Sequence, residues 1–326
     1  MSEMLVLGIE TSCDETACAI VKDGKNICSE VVASQIPYHR RFGGVVPELA
    51  SRKHLEAINA VVEETLFKSG FEMEHIDRLA VTVGPGLAGS LLVGITAART
   101  LGAIHDKPVF GVNHILAHLS VNFLTANISL PYIGLTASGG HCDLVFAKTH
   151  DEFEMLARTR DDAPGEVFDK TAKMLGFPYP GGAEIEKLAK GGNERAVKFP
   201  VPRFKDGSED FSFSGIKTFV KNLIQETSKE KLPDLAASFQ NSVASVFSGK
   251  IIAAAKRKLC QRVLVAGGVM ANSYIISRLE EECAKNSIQL FYPEARLCTD
   301  NAVMIACRGF WQEKSLPLTP APDLKI

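Results

Sequence analysis

The chain begins with an apolar run from Leu5 to Ile9, closed by Glu10, then a small polar turn, Thr11–Glu15, and a second apolar run, Ala17–Val21. Short runs bounded by turn residues predict a β-hairpin of buried strands. After Pro47 the spacing changes. Leu49, Leu55, Ile58, Val61, Val62 and Leu66 recur at i, i+3 and i+4, which predicts a helix with these residues on its inner face, closed by Gly70. A strand at Leu79–Val83, the turn Gly84-Pro85-Gly86, a helix from about Leu87 to Ile104, a strand at Val109–Val112 and a helix from His114 to about Leu124 follow. Leu79 to Ala98 carries no charge and is long enough to cross a bilayer. Its Gly-Pro-Gly and its hydroxyls at Thr82, Ser90 and Thr96 divide it instead into strand, turn and buried helix.

Near Leu130-Pro131 the pattern restarts. Tyr132–Ala137, the turn Ser138-Gly139-Gly140-His141 and Asp143–Ala147 read again as strand, small turn, strand. Leu7-Gly8-Ile9-Glu10-Thr11-Ser12 resembles Ile133-Gly134-Leu135-Thr136-Ala137-Ser138, with a Gly inside the strand and a hydroxyl at the turn. Such a repeat predicts two domains of like fold, each offering a turn to a shared cleft. Helices are expected near Glu166–Leu175, Gly182–Lys190, Phe213–Glu226 and Asp234–Leu259, then strand Arg262–Val265, helix Ala271–Asn286, strand Gln289–Tyr292 and helix Asp300–Gln312. Ser208–Phe213 reads as a polar loop, and the tail Ser315–Ile326, with its prolines, as frayed. The alternation of β and α elements predicts the α/β class.

Composition changes this picture little. With 326 residues, 46% hydrophobic and 23% charged, the chain is of ordinary globular make-up and large enough to fold without disulfide or metal staples. The net charge of −2 excludes a surface that is basic throughout, though not a local basic stripe. The N-terminus has no basic region ahead of its apolar run, so it reads as a first strand and not a signal peptide. The eight cysteines include no C-x-x-C pair, which points to reduced thiols and a cytoplasmic location.

His114 and His118 stand four apart on a helix, so their imidazoles share a face and could bind one metal ion, though such a pair by itself more often marks two surface histidines. Ile115 stands where a zincin protease has its glutamate, which counts against peptide hydrolysis. Asp300 can supply a third, oxygen ligand or serve as the N-cap of the last helix. Three glycine turns suit phosphates: Ser138–His141 between strands, Pro180-Gly181-Gly182 before a helix, and Ala266-Gly267-Gly268-Val269 between a strand and the helix opening near Asn272. Asp169 and Glu186 can bind ribose hydroxyls or lie on solvated helix faces. In the Thr11–Thr16 turn, Asp14 and Glu15 are turn formers or orient a metal, phosphate or nucleophile. Basic clusters at His39-Arg40-Arg41, Arg52-Lys53 and Lys256-Arg257-Lys258 can meet a phosphate backbone or simply be solvated.

Taken together, Gly8–Thr16 (G-I-E-T-S-C-D-E-T), Gly84-Pro85-Gly86, His114–His118, Ser138–His141, Gly165–Lys170 (G-E-V-F-D-K), Pro180–Gly182, Gly267–Asn272 (G-G-V-M-A-N) and Thr299-Asp300-Asn301 resemble the tRNA adenosine threonylcarbamoyltransferase family, of the bacterial TsaD type, formerly described as O-sialoglycoprotein endopeptidase. The resemblance runs in order from residue 5 to about 310. It implies two actin-like (ribonuclease H-like) domains around a nucleotide-binding cleft, the architecture of actin, sugar kinases and heat-shock ATPases. The divisions would be 1–128, 129–299 with the nucleotide site, and 300–326 as a helix returning to the N-terminal domain plus a tail. It implies transfer of threonylcarbamoyl from threonylcarbamoyl-AMP to the exocyclic amine of the adenosine 3′ of the anticodon, in tRNAs reading codons that begin with A.

Carried over by position, His114, His118 and Asp300 would hold one divalent metal ion, Fe2+ or alternatively Zn2+. Thr136, Ala137, Ser138, Gly139, Gly140, Asp169, Gly182, Glu186 and Asn272 would hold the adenylate. The family often has Asp where Glu186 stands, Thr where Cys142 stands and Val where Ala137 stands. A metal-binding Tyr that archaeal and eukaryotic relatives place near Thr136 is absent. Asp14, with Glu15 beside it, would accept or orient the proton of the attacking amine. The implied partners are tRNA, a paralogous actin-like subunit (TsaB type) and a small ATPase (TsaE type), with no membrane. An ATP-hydrolysing or kinase-like enzyme, a metalloprotease and a non-catalytic scaffold are the competing readings.

Overall fold

The computed structural model describes residues 3–201 and 204–326, which fall into two compact units, Met1–Ile128 with Thr149–Glu152 and Asp300–Ile326, and Ser129–Lys148 with Phe153–Thr299. In the first, β1 (Leu5–Glu10), β2 (Glu15–Lys22) and β3 (Asn26–Ser34) form an antiparallel meander. A one-turn α1 (Ile36–His39) and the long α2 (Pro47–Ser69) lead to β4 (Arg78–Gly84), α3 (Ala88–His105), β5 (Val109–Asn113) and α4 (His114–Ser120). The sheet order is β3-β2-β1-β4-β5, with β4 and β5 parallel to β1. Leu5, Leu7 and Ile9 pack with Ile58 and Val61 of α2 and Leu91 and Ile95 of α3. The opposite face of β1 is covered by the last helix, α10 (Ala302–Trp311), whose backbone reaches Gly8. Every residue of β1 is therefore buried.

The second unit repeats the plan. β6 (Tyr132–Ala137), β7 (Cys142–Ala147) and β8 (Phe153–Arg158) form the meander. Helices α5 (Pro164–Met174), α6 (Gly182–Leu188), α7 (Ser214–Glu226) and α8 (Leu232–Lys258) precede β9 (Arg262–Ala266), α9 (Ser273–Lys285) and β10 (Gln289–Phe291). The order is β10-β9-β6-β7-β8, the same sequence of roles as in the first sheet, with β9 parallel to β6 and β10 parallel to β9. The core is aromatic at its centre, where Phe211 and Phe213 meet Phe247 and where Phe168 and Phe199 meet Phe239.

Several expectations need correction. β3 and β8 are strands that the hydropathy pattern does not reveal. On α2, Leu55 is 68% exposed, while His54 and Thr65 turn inward; the buried stripe is Ala50, His54, Ile58, Val61, Val62 and Thr65. The Ser208–Phe213 loop is anchored by two wholly buried rings and a bridge between Phe211 and Thr159. Nor is the tail frayed. The Leu316 N–H donates to the Gly111 carbonyl (3.1 Å) and the Ala321 N–H to the Val83 carbonyl (2.7 Å), and Leu316, Leu318 and Leu324 join the apolar core. Among the described residues no helix is long and apolar enough to cross a membrane.

Candidate metal and nucleotide sites

β5 delivers the chain directly into α4, because the Asn113 side chain caps it by accepting from the Ile115 and Leu116 N–H groups (2.9 and 3.1 Å). His114 and His118 then stand one helical turn apart, with ring centroids 4.8 Å apart and planes at 86°. Asp300 Oδ1 lies 3.4 Å from His114 Nε2 and 3.2 Å from His118 Nε2, and one ligand atom of each residue falls within 4.8 Å of the others. Asp300 does not cap α10: Asn301 does, accepting from the Met304 N–H at 2.9 Å, which leaves the aspartate to the histidines. His118 is fully buried, yet neither ring nitrogen has a hydrogen-bond partner. Buried polar atoms are rarely left so, and a metal ion against Nε2 would resolve that half of the deficit. Two imidazoles and a carboxylate so placed are a donor set that could hold one metal ion.

Behind the triad stands a residue that the sequence reading treated only as the end of an apolar run. Glu10, wholly buried, accepts from the Ser12 N–H (2.5 Å) and the Thr82 hydroxyl (2.5 Å), and lies 3.2 Å from His114 Nδ1. Ser12 Oγ is also 3.2 Å from Nδ1. A carboxylate only accepts, so it fixes the proton on Nδ1 and turns the Nε2 lone pair toward Asp300 and the ion position. Without an ion, burial would depress the His114 imidazole, but the charges of Asp300 and Glu10 outweigh it and hold the group up to about 10. Burial would raise Asp300, and the His114 cation reverses this, holding it well below the usual carboxylate range. His118 is shifted down, by burial first.

The turn that bears Asp14 and Glu15 belongs to the same unit. Gly86 has no room for a side chain because a Cβ there would lie 2.7 Å from Ser12, and the Leu87 N–H donates to the Ser12 carbonyl at 2.8 Å. The Gly-Pro-Gly motif is thus the seat of the acidic turn. Burial pushes Asp14 up and Glu15 up to about 7, and the Asp300 charge adds to both shifts. Glu15 accepts from the Ser34 hydroxyl at 2.8 Å.

The remaining site residues lie in the second unit. Thr136 and Ala137 end β6, and Ser138 closes its turn by bonding to His141 through backbone and hydroxyl, leaving Gly139 and Gly140 exposed. The N-terminus of α5 abuts this turn, with the Gly165 N–H on the Ser138 carbonyl at 3.1 Å. Asp169 is half-buried, not on a solvated face, and its Oδ1 accepts from the Gly181 N–H at 2.7 Å, so it holds the loop leading to Gly182. Glu186 accepts from the Ser273 N–H at 2.9 Å and from its hydroxyl. Asn272 caps α9 through the Ile275 N–H (3.0 Å) and donates to Gln240 Oε1 (3.3 Å). Gly267, at φ +96°, lies where a Cβ would be 2.4 Å from the Ala137 carbonyl oxygen, so the β9 turn closes against the end of β6. The glycine turns after β6 and β9 thereby form one surface, with the carboxylates bracing its loops.

Two α/β units of a single topology, each a meander continued by parallel strands, give the chain an actin-like (ribonuclease H-like) fold. Solved structures with this fold include a (R)-2-hydroxyglutaryl-CoA dehydratase component from Acidaminococcus fermentans (TM-score 0.55, 18% identity, 94% of this chain and 98% of that one). Full-length HypF in its phosphate- and nucleotide-bound form matches at TM-score 0.65 and 13% identity, over 94% of this chain and 46% of that one.

The family model for tRNA N6-adenosine threonylcarbamoyltransferase matches residues 26–307, and the chain belongs to that family. It is 51% identical to the Bacillus subtilis enzyme of that name over 94% of this chain and 90% of the relative. The Clostridium botulinum (strain 657) enzyme is 46% identical over 98% of this chain and 97% of its own length. The chain is accordingly a transferase acting in tRNA modification.

Proposed function

We propose that this chain transfers a threonylcarbamoyl group from threonylcarbamoyl-AMP to the exocyclic amine of the adenosine 3′ of the anticodon, in tRNAs reading codons that begin with A, with release of AMP and dependence on a bound metal. The observation that carries the metal dependence is the His114–His118–Asp300 triad backed by Glu10, with the ring nitrogens of the buried His118 making no hydrogen bond. In this reading the triad holds Fe2+ or Zn2+, and the ion supplies Lewis acidity toward the activated carbonyl or the phosphate leaving group. Thr136–Gly140, Asp169, Gly182, Glu186 and Asn272 hold the adenylate. Glycine N–H groups and the α5 N-terminus favour its phosphate, and the carboxylates keep the loops in register.

The carbamoyl carbon arrives already activated as a mixed anhydride, so positioning dominates the work asked of the protein. The adenine amine is a weak nucleophile that must lose a proton as it attacks. Asp14 orients or accepts that proton, with Glu15 beside it. A paralogous actin-like subunit and a small ATPase complete the system in the cytoplasm.

The test is mass spectrometry of nucleosides from unmodified tRNA incubated with threonine, bicarbonate, ATP and the partner proteins. Threonylcarbamoyladenosine is expected only when this chain and metal are both present. ATP turnover with no modified nucleoside would overturn the reading in favour of a kinase-like enzyme.

A further inference from the structure

Between β3 and α2 the first unit presents a surface that the chemistry above does not use. Tyr38 and Phe42 are 42% and 58% exposed, unusual for rings at the two ends of a short turn. Each ring carries a cation. Lys53 Nζ lies 4.6 Å from the Tyr38 centroid and Arg41 Cζ 5.3 Å from that of Phe42. Arg41 and Arg52 are themselves exposed, while the acids of this stretch are Glu48 and Glu56, the latter paired with Lys53 at 2.6 Å.

The segment is held firmly. His39 is wholly buried beneath it, Nδ1 accepting from the Val46 N–H (3.3 Å) and Nε2 facing Gln35 Oε1 (3.2 Å). Gln35 Nε2 donates in turn to the Ala50 carbonyl at 3.4 Å. The same segment is tied to the acidic turn. The Gln35 N–H donates to the Asp14 carbonyl at 3.0 Å, and the Ser34 hydroxyl to Glu15 at 2.8 Å. The basic run at Lys256–Lys258 offers no equivalent, since Arg257 is paired with Glu209 and Lys258 with Glu154.

Exposed rings interleaved with cations are the chemistry that receives unpaired bases and the phosphates between them. We infer that Tyr38, Phe42, Arg41 and Arg52 form the docking surface for the single-stranded anticodon loop of the substrate RNA. The rings stack on unpaired bases, the guanidinium groups pair with phosphates, and the bonds to Asp14 and Glu15 keep the loop beside the acidic turn. This inference rests on the tRNA transferase reading and says where that substrate is held.

The test is equilibrium binding of a fluorescent anticodon stem-loop to the full-length protein over a range of salt, with the KM for tRNA in the transfer assay as second readout. Phe42→Ala and Tyr38→Ala should each weaken binding about ten-fold with an unchanged salt slope, as for a lost stacking contact, while Phe42→Tyr and Tyr38→Phe retain affinity. Arg41→Ala and Arg52→Ala should each lower the slope of log K against log salt by about 0.7. Affinity for threonylcarbamoyl-AMP should be unchanged in all. Wild-type affinity in the folded alanine variants, no salt-dependent binding by the wild type, or loss of partner association without loss of RNA affinity would overturn the inference. Failure of the wild type to modify tRNA at all would instead overturn the transferase reading.

Discussion

Glu10→Gln is the substitution that most directly probes how the metal triad is prepared. Glu10 Oε1 receives the Ser12 N–H, a group that can only donate, so the amide oxygen of glutamine must take that place. Its NH2 then falls where Oε2 now meets the Thr82 hydroxyl and His114 Nδ1. The hydroxyl can rotate and accept, at a cost of about 1 kcal/mol or less. The imidazole cannot accommodate the change so simply: facing a donor, Nδ1 becomes the acceptor and the proton moves to Nε2, the atom that faces Asp300. Coordination through Nε2 then requires the ring to give up that hydrogen bond. Loss of such a supporting partner lowers metal affinity about 10- to 100-fold, or about 1.4–2.7 kcal/mol. The assay is competition for Zn2+ or Fe2+ against a chromophoric chelator, with circular dichroism and a thermal melt to establish folding. A folded Glu10→Gln protein with wild-type metal affinity would refute the tautomer argument.

Five further outcomes are expected. His114→Ala and His118→Ala should each remove most bound metal and transfer activity while the melt shows a folded protein; elemental analysis finding near-normal metal in both would sink the triad. Because His114 is held protonated up to about 10 without an ion, metal uptake near pH 8 should release about one proton, read by calorimetry in buffers of different ionisation enthalpy. Its folded value lies above the ordinary 6.5, so its contribution to metal-free stability is fully present below 6.5 and lost as pH rises through about 10; a metal-free Tm that climbs over that range would contradict the sign. Asp14→Asn should leave nucleotide binding intact and lower transfer about 10²-fold or more if Asp14 accepts the proton, whereas lost affinity with a retained maximal rate would move it to binding. The isolated chain should be nearly inactive on tRNA, since its near-neutral charge gives little general affinity for RNA; full multi-turnover activity without partners would refute this.

The strands and helices that bury a continuous apolar face were legible in the sequence, and so were the repeat and the paired histidines. What escaped follows a physical pattern. In β3 only Ser29 and Val31 are buried, and in β8 only Ala157, so these outer strands of the two meanders carry no alternating signal. On α2 the inward face includes His54 and Thr65 because each finds partners inside. His54 meets Thr16 Oγ1 (2.8 Å) and the Cys13 carbonyl (2.9 Å), and Thr65 donates to the Val61 and Cys18 carbonyls (2.7 and 3.2 Å). Hydropathy places such residues outside and Leu55 inside, and both placements fail. Glu10 was overlooked for the same reason, although a charged residue closing a wholly apolar strand is itself a signal, since a buried carboxylate needs partners that are worth locating.

On the proposed reading, the repeat also accounts for two chemistries on one fold. With Gly8 matched to Gly134, Glu10 corresponds to Thr136. Gly8 faces Ala80 on β4 and Gly134 faces Leu264 on β9, so Thr82 corresponds to Ala266. In the first unit the end of the central strand therefore carries a carboxylate and its neighbour a hydroxyl that satisfies it. In the second the carboxylate is gone, a hydroxyl stands in its place, and the neighbour is apolar. The turns follow suit: Thr11–Asp14 brings the Ser12 hydroxyl to His114, while Ser138–His141 brings exposed glycine backbone. A buried carboxylate in the second unit would repel an adenylate phosphate. A hydroxyl in place of Glu10 in the first would leave His114 Nδ1 without its carboxylate acceptor and Nε2 free to carry the proton. On the proposed reading, the Glu10–Thr82 pair suits the first copy to support a cation, and Thr136 with Ala266 in the equivalent places spares the second copy a charge that an anion would meet.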